Sequence, residues 1–377
     1  MAIQLGRGTN VSHWLSQSER RGAERQAWFT RDDVRRIADW GLDHFRLPVD
    51  EVQMWDEQER PLGDGFDLMD QALDWAAEAG LNVVLDLHIL RSHFFNQATE
   101  PPLFSDPLQG QKFARLWQQL SARLSCRDNQ CVAYELMNEP VAHDNHAWNR
   151  VARIAFDAIR KLEPQREIIL GSNRWCSVLT FDELAVPDDE HTILTFHFYH
   201  PMLITHHRAQ WCAEGKMYDG PVQYPGRPIP DDQISRVVMP PPTRLITLNL
   251  DELNKPYRRS TMVADLAKPL AVAKRTGRPL YCGEFGVINL APESVRHAWF
   301  RDIVSVFEEY GIGWANWDYR GDFGLLGKDG KSTGLAEAAM SVDAAILDRG
   351  VTRPKITVDV PAGRHRQGAV RSPSTLL

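Results

Sequence analysis

The sequence predicts an α/β protein folded as a single (β/α)8 TIM barrel with a long loop after strand six. Short β-rich runs alternate with longer amphipathic stretches, which is typical of repeated βα units and a parallel sheet. Eight such units can be counted, and no second run of independent elements follows them. The competing fold, a doubly wound open sheet, normally carries a glycine-rich phosphate loop after its first strand, whereas the stretch here is "NVSHWLSQ".

The strand candidates are short runs rich in β-branched and other apolar residues, each followed by a helical pattern or a loop. They are Gly8–Ser12, His44–Pro48, Asn82–Leu87, Val132–Met137, Glu167–Gly171, Ile193–Phe198, Pro279–Gly283 and Ile312–Asn316. In a barrel of this kind the carboxyl ends of all strands open on one face, where active sites lie.

The helix candidates carry apolar residues at i, i+3 and i+4 spacing. They read "RDDVRRIADWG", "FDLMDQALDWAAEAG", "KFARLWQQLSARL", "AWNRVARIAFDAIRKL", "TMVADLAKPLAVAKRTG", "SVRHAWFRDIVSVFEEYG" and "LAEAAMSVDAAILDRG". Glycines stand where a left-handed residue commonly ends a helix, at Gly41, Gly80, Gly277, Gly311 and Gly350. Thr30 and Ser294 are predicted N-caps. The stretch "CSVLTFDELAVPDDEH", between strands five and six, predicts at most a short helix.

Two stretches depart from the βα repeat. Residues 200–260 form a long, proline-rich connection, and long loops in compact domains are usually functional. On the active face, this loop would wall a cleft. Residues 1–350 are therefore predicted to form the barrel domain, and residues 351–377 a loosely packed or disordered tail with little to bury.

Charge and composition exclude several classes of partner. The chain has 377 residues, of which 25% are charged, and a formal net charge of −7. No excess of basic residues is present to neutralise a nucleic acid or an anionic membrane surface, so neither is an expected partner. No window approaches the roughly 18 consecutive apolar residues of a membrane-spanning helix. The five cysteines are scattered and odd in number, which argues against a disulfide framework.

The amino terminus bears on localisation. Between Met1 and Gly6 there is no room for the charged region, apolar region and cleavage site of an export signal. The sequence as written therefore predicts a cytoplasmic protein, or a secreted or periplasmic one if a signal was removed. A monomer is the expected state, with other oligomers left open.

Polar and aromatic residues recur at the carboxyl ends of the predicted strands. This set comprises Arg46, His88, Asn138, Glu139, His197, Tyr199, Glu284 and Trp317. Glu139 and Glu284 end strands four and seven, which face each other across an eight-stranded barrel. Such a pair suits acid/base and nucleophilic work on a glycosidic bond, because a retaining glycosidase needs two carboxyl groups roughly 5–5.5 Å apart.

Five motifs carry a resemblance to a known family. "LMNEP", "DLHIL", "HFYHP", "YCGEFG" and "WANWDYRG", together with Arg46, resemble the signature set of family 5 glycoside hydrolases, the cellulase-like group of clan A. Any one motif is weak, but five in this order, each on its expected strand, are specific. The resemblance runs from about Gly8 to Gly334 and implies a catalytic barrel that needs no cofactor and no metal.

The resemblance also implies a role for each matching residue. Glu139 would be the general acid/base, and Glu284 the nucleophile that forms a glycosyl-enzyme intermediate. Asn138 would bond the 2-hydroxyl of the sugar. Arg46 and Tyr199 would hold Glu284 ionised and oriented, since a cation and a hydroxyl donor favour the carboxylate form.

The remaining three residues would complete the subsite for the sugar at the point of cleavage. His88 and His197 would add hydrogen bonds around that sugar and Glu139, and Trp317 would supply an apolar platform beneath it. General acid catalysis further predicts a raised pKa for Glu139 and an ordinary or lowered pKa for Glu284.

The expected activity is that of a retaining β-glycosidase, specifically an endo-β-1,4-glucanase, with a β-glucan polysaccharide or oligosaccharide as substrate. The alternatives are a β-mannanase, action on mixed-linkage glucan or xyloglucan, and an exo-acting β-glycosidase on short oligosaccharides. An alternative of another class is a non-catalytic carbohydrate-binding barrel. Loss of either carboxylate would mark that class, and both Glu139 and Glu284 are present.

Several polar residues are assigned no catalytic role. Glu135 is expected to face away from Leu136 and to form an ion pair between barrel and helix, and Asp86 to be a structural polar residue. The pair His206-His207 lacks the carboxylate spacing of a metal site. The segment "RSHFFNQATEPPLF", after strand three, matches no subsite.

The tryptophans divide by their position in the βα pattern. Those within helical patterns are expected in the core, namely Trp40, Trp75, Trp117 and Trp299. Those in strand-to-helix connections are candidates for stacking on sugar rings, namely Trp14, Trp55, Trp175 and Trp211.

Overall fold

The computed structural model describes residues 3–243 and 247–347. Eight parallel strands close into a barrel in sequence order, and β1 pairs with both β2 and β8. The strands are β1 (Arg7–Asn10), β2 (His44–Asp50), β3 (Asn82–Ile89), β4 (Val132–Glu135), β5 (Ile168–Gly171), β6 (Thr192–Phe198), β7 (Leu280–Phe285) and β8 (Gly313–Asn316). The predicted (β/α)8 class is confirmed. Gly350 and the predicted tail at 351–377 lie outside the described residues.

The observed strands differ from the predicted ones mainly at their carboxyl ends. β7 continues two residues beyond Gly283, because Glu284 and Phe285 pair with His197 and Phe198 after a register shift in β6. β4, by contrast, ends at Glu135. These ends lie at the active face. The pattern of apolar residues therefore predicts the strand boundaries least accurately at that face.

The helices surround the barrel. They are α1 (Gly22–Trp28), α2 (Arg31–Asp39), α3 (Glu51–Met54), α4 (Gly63–Ala79), α5 (Pro102–Ser105), α6 (Pro107–Leu124), α7 (Asn145–Leu162), α8 (Asn173–Cys176), α9 (Met202–Thr205), α10 (Ala213–Lys216), α11 (Leu250–Leu253), α12 (Arg259–Asp265), α13 (Ala267–Thr276), α14 (Glu293–Tyr310) and α15 (Leu335–Leu347). Between β5 and β6 the 3₁₀ turn Val178–Glu183 follows α8, as the sequence suggested, and a second 3₁₀ turn covers Asp231–Arg236. Within the described residues, no helix is both long and apolar enough to cross a bilayer.

Local capping explains several helix boundaries. Thr30 and Asp33 form a reciprocal capping box at the start of α2. Gly277 and Gly311 end α13 and α14 in the left-handed conformation, with φ of 70° and 65°. The predicted N-cap at Ser294 is wrong, because α14 begins at Glu293 directly after Pro292. A proline ahead of the first turn costs no helical hydrogen bond, since its missing N–H would have no partner there.

The barrel interior is layered. Its amino-terminal end is filled by an apolar cluster comprising Ile3, Val84, Ala133, Ile169, Ile193, Tyr281 and Ala315. Side chains two residues further along a strand point to the same face, so Asp86 follows Val84 and Glu135 follows Ala133 into the interior. The layer above the apolar cluster is therefore charged, and it supports the residues at the strand ends.

The larger apolar core lies between strands and helices. Trp117 and Trp299 are fully buried there, as predicted, and Trp40 and Trp75 pack against its edge. Of the four loop tryptophans predicted as candidates for stacking on sugar rings, two are buried. Trp14 and Trp55 are 0% exposed and therefore cannot stack on a sugar, because the loops that carry them fold back onto the core. Trp175 is half-buried and Trp211 is 51% exposed.

The long connection after β6 packs against the side of the barrel that carries β7 and β8. The Tyr224 hydroxyl donates to Asp302 of α14 at 2.6 Å, and the Tyr257 hydroxyl donates to Asp265 at 2.5 Å. The Ile288 amide, after β7, donates to the Thr205 carbonyl at 2.9 Å. The last of these bonds holds the start of the connection beside the end of β7, and the predicted role of the connection as a cleft wall stays a prediction.

A buried arginine stabilises the opposite, amino-terminal side of the barrel. Arg166, before β5, is 0% exposed, and its Nε donates to Glu163 at 2.8 Å. Its Nη1 donates to the Val132 carbonyl at 2.8 Å and its Nη2 to the Arg127 carbonyl at 2.9 Å. This side chain therefore connects the starts of two neighbouring strands.

We expect Arg166→Met to lower the free energy of unfolding by roughly 3–5 kcal/mol, because the Glu163 carboxylate then remains buried without its cation. Chemical denaturation followed by tryptophan fluorescence measures the change. Arg153→Met is the control, since Arg153 forms an exposed pair with Asp157 on α7 and such pairs add little stability. Equal losses in both variants would contradict the role of the buried arginine.

Candidate active site

One guanidinium lies at the centre of the strand ends. Arg46, on β2, is 0% exposed. Its Nε and Nη2 donate to the two carboxylate oxygens of Glu135 at 2.7 and 2.9 Å, and its Nη1 donates to Glu284 Oε1 at 2.9 Å. Its Nη2 also lies 3.0 Å from Asp86 Oδ2 and 3.0 Å from the side-chain oxygen of Asn138. The guanidinium is thus the cation shared by three carboxyl groups from β3, β4 and β7.

The sequence did not predict that Glu135 and Asp86 would lie beside Arg46. The expected barrel-to-helix ion pair of Glu135 is wrong, because Glu135 faces the barrel interior and binds Arg46 with both oxygens. Asp86, fully buried, also contacts His88 Nδ1 at 2.8 Å, which orients that ring. The alternation of residues along β4, with Ala133 facing inward, was the signal that Glu135 would do so too.

Glu139 and Glu284 come together across the barrel. His197 Nδ1 lies 2.9 Å from Glu139 Oε1 and 3.6 Å from Glu284 Oε2. One oxygen of each carboxyl group and a ring nitrogen of His197 lie within 4.8 Å of one another. This proximity matches the short separation used by retaining glycosidases rather than the wider gap that inverting enzymes leave for a water molecule.

The backbone aims Glu139 into the cleft. Its φ is +41°, in the left-handed region that non-glycine residues seldom adopt. The Asn138 amide donates to the Leu87 carbonyl at 2.9 Å, and the Trp175 amide donates to the Pro140 carbonyl at 3.2 Å. The bonds on both sides fix the turn at the end of β4 in this uncommon conformation.

Tyr199, His88 and Trp317 complete the predicted set. The Tyr199 hydroxyl donates to Glu284 Oε2 at 3.0 Å. The rings of His88 and Trp317 are stacked, with centroids 5.5 Å apart and planes 7° apart. Trp317 is half-buried, so part of its side chain is accessible. The structure thus gathers all eight predicted residues into one cluster at the carboxyl ends of the strands, while their roles stay predictions.

Sequence reasoning missed residues in the loop after β1. Gln17 Nε2 lies 3.3 Å from His88 Nε2, and the His13 ring meets the edge of Trp317 at a centroid distance of 6.2 Å. Both loop residues have positive φ, 55° for His13 and 50° for Gln17. The segment has no glycine at these positions, and its serines are common in turns of every type, so the sequence did not predict these two conformations.

Burial changes the acidity of the paired carboxyl groups. Desolvation raises the pKa of Glu139 to about 7, a shift that the Arg46 charge reduces only in part. Desolvation also raises the pKa of Glu284 to about 7, against the lowering effects of His197 and Arg46. The raised pKa of Glu139 agrees with the prediction. The expectation of an ordinary or lowered pKa for Glu284 is wrong, because one cation serves several buried carboxyl groups.

One group of side chains in the described part of the chain has a spacing that could hold a metal ion. Glu139, His197 and Glu284 offer two carboxylate oxygens and one imidazole nitrogen. His206 and His207 do not belong to this group. The stretch "GLLGKDGKS", whose glycine spacing differs by one residue from that of a phosphate-binding loop, forms a turn in which the Gly327 amide donates to the Lys331 carbonyl at 2.9 Å.

We expect Glu139→Gln to raise the melting temperature more at pH 8 than at pH 5. The folded-state pKa of about 7 lies above the ordinary value of 4.5, so the neutral carboxyl is favoured in the fold. Its contribution to stability is present below the ordinary value and is lost as the pH rises through about 7. The neutral amide avoids that loss. Calorimetry at the two pH values measures the difference, and equal shifts at both would contradict the raised pKa.

Comparisons with known proteins agree with this site. The family model for cellulases of glycosyl hydrolase family 5 matches residues 7–322. Endoglucanase C of Acetivibrio thermocellus is 33% identical over 335 residues, which is 87% of this chain and 95% of the relative. Cellodextrinase A of Ruminococcus flavefaciens is 27% identical over 308 residues, or 81% of this chain and 83% of the relative.

A solved structure shows the same fold. Cel5A of Thermotoga maritima, crystallised in complex with a mannotriose substrate, superimposes with a TM-score of 0.71 at 22% identity, over 89% of this chain and 97% of that one. With the family model matching most of the barrel, and with its expected residues gathered at one strand-end site, the chain belongs to glycoside hydrolase family 5, the cellulase family.

Proposed function

We propose that the protein is a retaining endo-β-1,4-glucanase, with Glu139 as general acid/base and Glu284 as nucleophile. The observation that carries this proposal is that one oxygen of the Glu139 carboxyl group lies within 4.8 Å of one oxygen of the Glu284 carboxyl group, at the carboxyl end of the barrel. Two carboxyl groups so close leave no space for the water that an inverting mechanism places opposite the sugar.

The first step forms a covalent intermediate. A carboxylate oxygen of Glu284 bonds to the anomeric carbon while the bond from that carbon to the glycosidic oxygen breaks. The departing oxygen keeps the electron pair and takes the proton of Glu139. In the second step Glu139, now a carboxylate, accepts a proton from water as the water oxygen bonds to the anomeric carbon and Glu284 leaves.

The hydrogen bonds support this division of roles. Glu284 accepts hydrogen bonds from the Arg46 guanidinium at 2.9 Å and from the Tyr199 hydroxyl at 3.0 Å. Both donors favour the ionised form of Glu284. Glu139 lies 2.9 Å from His197 and, within the described residues, forms no ion pair with an arginine. Burial raises the pKa of both carboxyl groups to about 7, and the two donors to Glu284 favour the state in which Glu139 carries the proton.

The surrounding polar groups suit a bound sugar. The Asn138 side-chain amide nitrogen is buried and has no hydrogen-bond partner among residues 3–243 and 247–347. Its oxygen accepts a hydrogen bond from Arg46 at 3.0 Å, so its N–H groups are left for an acceptor that these residues do not supply. A sugar hydroxyl would satisfy them. The half-buried Trp317 face offers an apolar surface for the sugar ring.

The names of the relatives support a β-glucan substrate. An endoglucanase and a cellodextrinase are among them, and Cel5A of Thermotoga maritima was crystallised with cellobiose as well as with mannotriose. β-Mannan is therefore the second candidate substrate, and short cello-oligosaccharides cleaved from one end are the third. A non-catalytic barrel is disfavoured because both carboxyl groups and their partners are in place.

We expect Glu284→Ala to reduce turnover of an aryl β-cellobioside by roughly 10⁴–10⁶-fold, since removal of a nucleophile is among the most costly changes in an enzyme. Azide should restore part of the rate and yield the α-glycosyl azide, whereas Glu139→Ala with azide should yield the β-anomer. Glu167→Gln, at a carboxyl that is buried beside His191 away from the cleft, is the control. Retained turnover by Glu284→Ala would disprove the nucleophile assignment.

We expect release of reducing ends from carboxymethylcellulose at a higher kcat/KM than from glucomannan. Internal cleavage would also lower the viscosity of the polymer before much sugar is released. Rapid hydrolysis of cellotetraose with no effect on either polymer would instead identify an enzyme for short oligosaccharides. Preference for glucomannan would identify a mannanase.

A further inference from the structure

The turn of residues 13–17, after β1, contacts two of the residues predicted to bind the sugar at the point of cleavage. The side-chain nitrogen of Gln17 lies 3.3 Å from His88 Nε2. The His13 ring meets the edge of Trp317, with centroids 6.2 Å apart. The rings of His88 and Trp317 are stacked on each other. A turn that touches both rings can fix the position of both.

The carboxyl group of Asp50, at the end of β2, holds this turn. Asp50 is 4% exposed, and its Oδ2 accepts a hydrogen bond from the Gln17 amide at 2.6 Å. The Asp50 amide donates to the Leu15 carbonyl at 2.9 Å. Gln17 has a φ of 50°, which non-glycine residues seldom adopt and keep only where their surroundings fix it. The two bonds to Asp50 therefore keep the turn in the conformation that brings the Gln17 side chain to His88.

The proton on the His88 ring can be placed from its neighbours. Burial and the Arg46 charge lower the pKa of His88 well below its ordinary value, so the ring is neutral and carries one N–H. Asp86 Oδ2 lies 2.8 Å from His88 Nδ1 and 3.0 Å from Arg46 Nη2. Because a guanidinium only donates, this oxygen acts as an acceptor, and it accepts from the ring as well. The single N–H of His88 is therefore on Nδ1.

The other ring nitrogen, His88 Nε2, then has a lone pair and needs a donor. The Gln17 side-chain amide supplies an N–H at 3.3 Å, and no other group among residues 3–243 and 247–347 bonds this nitrogen. The hydrogen bond to one ring nitrogen decides which nitrogen is protonated, so this bond favours the Nδ1–H form. It also fixes the plane of the ring, whose face is stacked on Trp317.

We propose that Asp50 and Gln17 are positioning residues that act through His88. Asp50 holds the Gln17 peptide, and the Gln17 side chain holds His88 in one tautomer and one orientation, ready to bind the sugar. The inference rests on the proposed function and deepens it, because it adds two residues behind the subsite for the sugar at the point of cleavage. It also assigns a use to the left-handed turn after β1.

The test compares variants that remove each bond, with an aryl β-cellobioside as the substrate. Gln17→Met keeps the length of the side chain and removes its N–H groups. Asp50→Leu keeps the size of the side chain and removes its acceptor, whereas Asp50→Asn retains an oxygen that can accept from the Gln17 amide. Gln119→Met is the matched control, since Gln119 is a half-buried glutamine on α6 whose side chain bonds Trp55 and the Glu59 carbonyl.

We expect Gln17→Met and Asp50→Leu each to lower kcat/KM by about 10–50-fold, since a misplacement of the order of 1 Å can cost about 10²-fold. Asp50→Asn should recover most of the loss, and Gln119→Met should leave kcat/KM unchanged. Because Gln17 acts through His88, adding Gln17→Met to His88→Phe should lower kcat/KM no further than His88→Phe alone.

Equal losses in Asp50→Asn and Asp50→Leu, or a further loss when Gln17→Met is added to His88→Phe, would overturn the positioning role. Glu284→Ala is measured in parallel to separate this failure from that of the proposed function. If Glu284→Ala turns over as fast as the unchanged protein, the proposed mechanism is wrong. If Glu284→Ala loses turnover and Gln17→Met does not, the positioning role alone is wrong.

A measurement on the unchanged protein depends neither on activity nor on the folding of a variant. In ¹⁵N-histidine spectra we expect His88, assigned through its contacts with the Trp317 ring protons, as a neutral imidazole protonated on Nδ1, which is the minor tautomer of free histidine. In Gln17→Met the Nε2 resonance should move toward that of an unbonded nitrogen. A His88 ring protonated on Nε2, or one that titrates between pH 5 and pH 8, would contradict the proposal.

Discussion

The shared guanidinium of Arg46 is the interaction on which the site depends. A single buried cation from β2 binds carboxyl groups that come from β3, β4 and β7. Burial disfavours every one of these charges, and one positive charge cannot compensate for all of them. The pKa of Asp86 is accordingly raised to about 7, like that of Glu284. Burial therefore favours the protonated form of these carboxyl groups up to a higher pH than in exposed carboxyls, which suits the acid role proposed for Glu139.

This charged layer relies on the apolar layers around it. Buried ion pairs contribute little net stability because desolvation offsets their attraction. The apolar cluster at the amino-terminal end of the barrel and the core between strands and helices supply the favourable burial. Gly283 leaves space in the charged layer, since a Cβ there would lie 3.0 Å from Thr195 Oγ1 and 3.3 Å from His197 Nε2. The absence of a side chain at Gly283 thus leaves room for the polar groups of Thr195 and His197 in this layer.

Backbone strain is concentrated at the same end of the barrel. Left-handed non-glycine residues occur after β1, at His13 and Gln17, after β4, at Glu139, and after β5, at Arg174 and its two successors. Each such residue costs free energy that the surrounding packing must offset. The strained turns place side chains in the cleft that regular strand geometry would direct elsewhere. The uncommon backbone conformation of Glu139 is thus part of how the fold positions this carboxyl group at the strand ends.

The sequence by itself determined the barrel, the order of its strands, several helix caps and the identity of the eight residues at the strand ends, because periodicity and local motifs are encoded over short distances. Tertiary structure alone decided that Glu135 binds Arg46, that Glu284 has a raised pKa and that Trp14 is buried. Those properties depend on desolvation and on distances between residues far apart in the chain. Electrostatic and packing energies of this kind arise only once the barrel has closed.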